Sequence, residues 1–211
     1  MTTHKGQIEY RLLRQGHCLV GVDEVGKGCI AGPVYAASVI LDYQKLILLP
    51  NKLKEKIRDS KTLSHKQRSE IVPIIEEVAL ETSVASAKVA EIEAFGIAPA
   101  TFLAIKRALE KLRTQFSYLL IDGNQSLESY KIKQKAIIKG DSLCYNIAAA
   151  SILAKEARDT FMRKQASKFP VYGFEKHVGY GTKFHISAIM DHGACSLHRK
   201  NFAPVKNFFS P

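Results

Sequence analysis

Residues 21–41 read GVDEVGKGCIAGPVYAASVIL, and two incompatible readings compete for them. Gly21, four residues and then Gly26-Lys27 nearly complete the nucleotide-binding loop G-x-x-x-x-G-K-[ST]. The last position is Gly28, so no hydroxyl is placed for a magnesium ion, and Asp23 and Glu24 inside the loop would repel a nucleotide's phosphates. The other reading is two strands. CLVGVDEV (18–25) and VYAASVIL (34–41) are apolar and partly β-branched, and the glycines and Pro33 between them make a tight connection. That pattern predicts consecutive antiparallel strands, with the two acids near the end of the first.

Outward from this pair, TSVASAKV (82–89) alternates and predicts a third strand. Between them lies the basic segment KLKEKIRDSKTLSHKQR, where Ser64 followed by Gln67 is a capping-box signature for a helix starting near 65. Pro73 is expected to kink or split that helix. Pro99 suits the first turn of another helix, running to about 114 with Phe102, Ile105, Leu109 and Leu112 as its apolar stripe. YLLIDGN and QKAIIKGD read as buried strands stopping at polar turns. A long helix is expected over about 142–168, where Leu143, Ile147, Ala150, Ala154, Ala157 and Phe161 share a face. A short helix follows near 184–191, in a tail rich in Gly, His and Lys. The order is that of an α/β sheet with an antiparallel start.

The chain has 211 residues, 31 basic against 20 acidic, a formal net charge of +11 and 46% hydrophobic residues. A basic balance points to a polyanionic partner, nucleic acid before an anionic membrane. Cys18, Cys29, Cys144 and Cys195 form no C-x-x-C pair, which argues against a zinc site and for a reducing cytoplasm. The N-terminal stretch lacks an apolar signal core, and no apolar run approaches a membrane span. The expected location is the cytosol.

Acids are scarce, yet Asp23-Glu24, Asp122 and Asp141 all end or interrupt apolar runs. A carboxylate beside a buried strand is costly unless something compensates it. Strand ends of one sheet can converge on one crevice, and carboxylates gathered there repel unless a cation binds. All-oxygen ligands favour Mg2+ or Mn2+ over zinc, and two such ions are a standard device for in-line displacement at phosphorus. Each acid also has a plainer reading: Asp122-Gly123-Asn124 as a turn, Asp141 as a helix cap, Asp23-Glu24 as an exposed loop. Neighbours in a regular strand point to opposite faces, so Asp23 and Glu24 share an ion only where the strand ends or bulges.

The segments GVDEVGKGCIAGPVYAASVIL, RDSKTLS, LLIDGN, IIKGDSLCYNIAAASILAKEARD and HVGYGT, in this order over about residues 18–204, closely resemble type 2 ribonuclease H, the ribonuclease HII of bacteria. The resemblance implies a ribonuclease H-like α/β fold: a mixed five-stranded sheet flanked by helices, with a catalytic core at 1–168 and a small C-terminal helical annex at 169–211. It implies hydrolysis of the RNA strand of RNA–DNA hybrids and cleavage 5′ of single ribonucleotides embedded in duplex DNA, leaving 5′-phosphate and 3′-hydroxyl ends. By the family pattern Asp23, Glu24, Asp122 and Asp141 are the catalytic, metal-binding quartet for Mg2+ or Mn2+. Gly26-Lys27-Gly28 matches the family's Gly-Arg-Gly loop, whose backbone approaches the 2′-hydroxyl at the RNA-to-DNA junction. Lys27 departs from the usual arginine, keeping the charge and losing planar bidentate bonding. Tyr180 matches the tyrosine that stacks near the sugar after the junction. Ser60 and Lys61 match a phosphate-contacting motif, with Arg58 as a further basic neighbour.

Two other functions compete with this one: a non-catalytic hybrid-binding module, and a processive RNA-strand nuclease indifferent to single ribonucleotides. The carboxylates argue against the first, and the Gly-Lys-Gly loop and Tyr180 against the second. Lys155 and Asp159, four residues apart, read as an exposed structural pair. Phe208 and Phe209 in the tail VKNFFSP are either a packed terminus or a docking point for a replication clamp. The protein is expected to be a monomer with no membrane contact.

Overall fold

In the computed structural model, residues 4–128 and 130–208 are described. Their elements are α1 (Gln7–Arg14), β1 (Leu19–Val25), β2 (Val34–Leu41), α2 (Tyr43–Leu48), α3 (Asn51–Lys54), a 3-10 turn (Ser60–Thr62), α4 (His65–Val78), β3 (Ala79–Ala87), α5 (Val89–Phe95) and α6 (Ile97–Glu110). Then come β4 (Tyr118–Asp122), β5 (Lys133–Ile137), α7 (Gly140–Leu143), α8 (Tyr145–Ala166), a 3-10 turn (Pro170–Tyr172), α9 (Phe174–His177), α10 (Lys183–His192) and a last 3-10 turn (Val205–Phe208).

The five strands form one mixed sheet in the order β3-β2-β1-β4-β5. β1 and β2 are antiparallel, as the glycine-rich connection predicts, and so are β2 and β3. β1 and β4 run parallel, as do β4 and β5, so the C-terminal ends of these three strands lie along one sheet edge. Val20, Val22, Ala36, Leu119 and Ile121 pack with Ala104, Ile105 and Ala108 of α6 on one face. Ala37 and Val39 pack with Ala148, Ala149 and Ile152 of α8 on the other. At Gly21 a Cβ would lie 2.4 Å from the backbone carbonyl carbon of Asn146, so only glycine lets α8 come this close to the central strand.

Four expectations need correction. Pro73 neither splits nor ends α4, which runs unbroken from the Ser64–Gln67 capping box to Val78. Pro73 is on the exposed side, while Ile71, Ile75 and Val78 keep the buried stripe. The helix expected over 142–168 is broken at Cys144, which is extended (φ −126°, ψ 135°). There the buried Glu9 carboxylate of α1 accepts hydrogen bonds from the Tyr145 and Asn146 amides at 3.0 and 2.8 Å, giving α8 its own start. β5 is an edge strand, not a buried one, and Lys133 and Lys135 are exposed, which blunts an unpaired edge. α6 stops at Glu110, short of 114.

Residues 170–205 pack against the β1–β2 connection and the end of α8. Tyr172, Phe174, Val178, Ile189 and Val205 form one apolar cluster with Ile30, Ala31 and Met162. Beside it His177 stacks on His185 at 4.3 Å, and His185 Nε2 lies 3.0 Å from His198 Nε2. Burial lowers both His185 and His198 to about 4. A histidine held neutral in the fold but free to protonate when unfolded contributes stability that is lost as pH falls from the unfolded value near 6.5 toward 4. Denaturant titrations at pH 7 and pH 5 are therefore expected to show lower stability at pH 5, and His198→Gln should flatten that dependence.

The four cysteines are free. Among the described residues no helix is long and apolar enough to cross a membrane. Phe208 is partly exposed at the end of the last 3-10 turn, and Phe209 lies outside the described residues.

Candidate active site

β1 keeps a regular register against β2 through Asp23↔Ala37 and Glu24↔Ala36, with no bulge at the acids. The pleat therefore sends them to opposite faces: Asp23 follows Gly21 toward α8, and Glu24 follows Val22 toward the α6 side. The parallel pairing Gly21↔Leu120 and Val22↔Ile121, carried one residue on, sets Asp23 beside Asp122 on the α8 face. Adjacent strands are only about 4.8 Å apart, so two carboxylates become lateral neighbours at the sheet edge.

Asp23 is 7% exposed. Burial, then the charges of Glu24 and Asp122, push its carboxyl well above the usual carboxylate range. Its Oδ1 accepts the Glu24 amide at 2.7 Å. Asp122 Oδ1 accepts the Gly140 amide at 2.7 Å, which fixes the one-turn helix α7 against the end of β4. Asp141 is the second residue of α7 rather than a strand end, and burial, Asp59 and Asp122 raise its carboxyl. Glu24 Oε1 is bridged to Lys27 Nζ at 2.5 Å. The structure thus gathers Asp23, Asp122 and Asp141 on one edge and sets Glu24 at its rim. Among the described residues no three His, Cys, Asp or Glu side chains are arranged to hold an ion as they stand.

The donor set nevertheless fits a hard divalent cation. It is all carboxylate oxygen, and burial and then neighbouring acids disfavour the charge on Asp23 and Asp141, which a cation would offset. Lys61 feels the same field. Burial pulls its pKa down, and Asp59, Asp23, Asp141 and Asp122 outweigh that and raise it. The Asp59 side chain accepts the Lys61 amide at 2.9 Å and so shapes the turn that presents this lysine. Ser60 is buried, its hydroxyl 2.9 Å from that of Ser151 on α8. Arg58 is exposed beside this turn.

The loop from Gly26 to Pro33 is held by two arginines, neither of which stood out in the sequence. Arg158 donates to the carbonyls of Pro33 (3.1 Å), Val178 (2.8 Å) and Ala31 (3.0 Å). Arg199 donates to those of Gly32 (2.9 Å) and Lys27 (3.0 Å). Both are fully buried. The only signal for Arg158 was a charge on a helix otherwise rich in buried alanines. Lys155 and Asp159 are paired at 2.7 Å, but the pair is not exposed: Asp159 is 2% exposed and also binds Arg68 at 2.7 Å. Lys155 Nζ lies 5.5 Å over the ring of Tyr180, which is 41% exposed. The site therefore combines an acidic edge, a clamped glycine loop and an aromatic ring presented by the C-terminal segment.

The ribonuclease HII family model matches residues 20–205. The chain belongs to the ribonuclease HII family. It is 45% identical to the ribonuclease HII of Prochlorococcus marinus (strain MIT 9313) over 93% of this chain and 88% of the relative. It is 46% identical to that of Endomicrobium trichonymphae over 91% and 88%. Among solved structures, the ribonuclease H2 of Pyrococcus horikoshii OT3 superposes with a TM-score of 0.75 at 20% identity, covering 90% of this chain and 96% of that one. The PCNA:RNase HII complex from Archaeoglobus fulgidus gives 0.70 at 22% identity, covering 88% and 95%. Bst-RNase HIII in complex with Mn2+ gives 0.69 at 19%, covering 92% and 69%. The mixed sheet and flanking helices are thus those of the ribonuclease H-like fold, and this ribonuclease HII homologue is a hydrolytic nuclease acting on RNA–DNA hybrids.

Proposed function

We propose that the enzyme cleaves RNA in RNA–DNA hybrids and also cuts 5′ of a single ribonucleotide in duplex DNA, leaving 5′-phosphate and 3′-hydroxyl ends. In this reading Asp23, Glu24, Asp122 and Asp141 hold two divalent cations, Mg2+ or Mn2+. The observation that supports it is the parallel register, which ends at Val22↔Ile121 immediately before buried Asp23 and Asp122, in a chain of net charge +11. When bound, the ions lower the pKa of the attacking water and offset charge on the leaving 3′-oxygen. The chain's own residues do the rest. Release of Glu24 from Lys27 frees one carboxylate for the acidic edge and one ammonium for a phosphate. Lys61 faces the same edge and neutralises the strand's backbone there, with Ser60 shaping its turn. Gly26-Lys27-Gly28 presents backbone to the ribose 2′-hydroxyl, the group that distinguishes RNA from DNA, and Tyr180 stacks on the following sugar. Residues 1–168 act as the catalytic core and 169–211 as the annex carrying Tyr180, in a cytosolic monomer. The exposed edge of Phe208 favours a second role for the tail, docking on a replication clamp; one structural neighbour is a PCNA:RNase HII complex. Loss of clamp binding on deleting residues 206–211 would support that role, and unchanged binding would remove it.

The deciding assay uses two duplexes, one with an all-RNA strand and one with a single ribonucleotide in DNA, with and without each metal. Wild type is expected to cut both in a metal-dependent way, and Asp122→Asn neither. Wild-type-like cleavage by Asp122→Asn would sink the carboxylate assignment. Salt-dependent binding without cleavage by wild type would make the protein a binding module. Cleavage of the all-RNA strand alone would remove the junction reading.

A further inference from the structure

A groove of about 880 Å³ opens between α1 and α2. Its rim carries Lys5, Arg11, Arg14 and Lys54, and no acidic residue lines it among the described residues. The acid of α1, Glu9, is turned inward to cap α8. Exposed aromatic and aliphatic surface lies between these cations. Tyr10 and Ile47 line the groove and are 64% and 69% exposed, with the Arg14 guanidinium 5.9 Å from the Tyr10 ring. Lys5 links the groove to the acidic edge: its Nζ donates to the Asp141 carbonyl at 2.7 Å and lies 5.2 Å from the ring of Tyr145.

A cationic rim over an exposed aromatic and aliphatic floor matches a ligand with regularly spaced anions and flat apolar faces. A paired duplex offers the anions alone, since its bases are stacked inside. An unpaired strand offers both, its phosphates to the rim and its bases to the floor. We propose that this groove binds an unpaired nucleic-acid strand running off the duplex that occupies the acidic edge. The proposal rests on the nuclease reading above and extends the substrate footprint past Asp141.

The test is binding by fluorescence anisotropy over a salt series. It uses a blunt RNA–DNA hybrid and the same hybrid with an unpaired extension of about ten nucleotides, within the usual single-strand site size, on either end. A fully paired extension of equal length is the control. Wild type should bind one unpaired extension at least about 5-fold more tightly than the blunt hybrid, the lower end of one base–aromatic stack. Arg11→Ala/Arg14→Ala should erase that gain and lower the salt slope for the extended hybrid by about 1.4, two phosphate contacts on a single strand. Tyr10→Ala should erase the gain with little change in slope. Blunt-hybrid binding and cleavage should match wild type in all variants. The side chains changed are exposed, and unchanged melting temperatures would show that the variants fold. No gain with either unpaired extension, an equal gain with the paired one, or a gain surviving the substitutions would overturn the proposal. So would competition by polyglutamate with no extension effect, which would assign the groove to an acidic protein partner. Failure of wild type to cleave the blunt hybrid would strike the nuclease reading, while the extension comparison still reads the groove.

Discussion

Asp23→Asn should abolish cleavage and, without metal, make the protein more stable. The two effects have one cause. The folded chain holds a proton on Asp23 more tightly than the unfolded chain does, because the carboxyl is buried beside Glu24 and Asp122. Its ionisation therefore opposes folding. The penalty begins as pH rises past the unfolded value near 3.9 and is complete above the raised folded value. Asparagine keeps the shape and a carbonyl oxygen for the Glu24 amide, and carries no charge. In chelator at pH 7.5 the variant's melting temperature is expected to exceed wild type by at least about 2 °C, which is roughly what 1 kcal/mol gives at this length. Added Mg2+ should raise the wild-type value and leave the variant nearly unmoved. Loss of activity should exceed the roughly 10–100-fold typical of residues that merely support metal ligands. A variant both less stable in chelator and fully active would refute the placement of Asp23 at a cation site.

Gly26→Ala should cost at least about 100-fold in kcat on a single-ribonucleotide duplex, the scale of a misplacement near 1 Å. Gly26 has φ +97°, and an added Cβ would sit 2.3 Å from Arg158 Nε and 3.1 Å from the Pro33 carbonyl oxygen. The alanine therefore strains the backbone and pushes on the arginine that ties this loop to Val178, two residues before Tyr180. Overpacking of this kind costs about 1–3 kcal/mol of stability as well. Gly28 is the contrasting case. A Cβ there meets nothing within 4 Å and its φ is not positive. Gly28→Ala should melt like wild type, so any loss of junction cleavage reads contact with substrate directly. Equal activity of both variants and wild type would show that the loop does not touch the ribose.

Arg158 and Arg199 explain how one loop can serve two parts of the chain. Five backbone carbonyls between Lys27 and Val178 converge on two buried guanidinium groups. The planar fork suits this, and lysine would not reproduce it. The glycine loop and the Tyr180 segment are thereby fixed relative to each other.

Much of this was legible in the sequence, because it rests on short-range physics. The alternation in 34–41, the Ser64–Gln67 capping box and the glycine-rich connection of β1 and β2 act over a few residues, and the structure bears them out. So did the motifs that carry the family. The tertiary structure alone decided which acids meet. Asp23 and Asp122 are 99 positions apart and become neighbours only through the β1–β4 register, and Glu24, the neighbour of Asp23 along the chain, crowds the same carboxyl. Likewise the new start of α8 after Cys144 comes from Glu9, which takes the Tyr145 amide from 136 residues earlier. Buried Asp159 meets Arg68, 91 positions earlier, only because α4 packs against α8. Periodicity and caps are set by neighbours along the chain, whereas the field around a carboxylate is set by whatever the fold brings beside it.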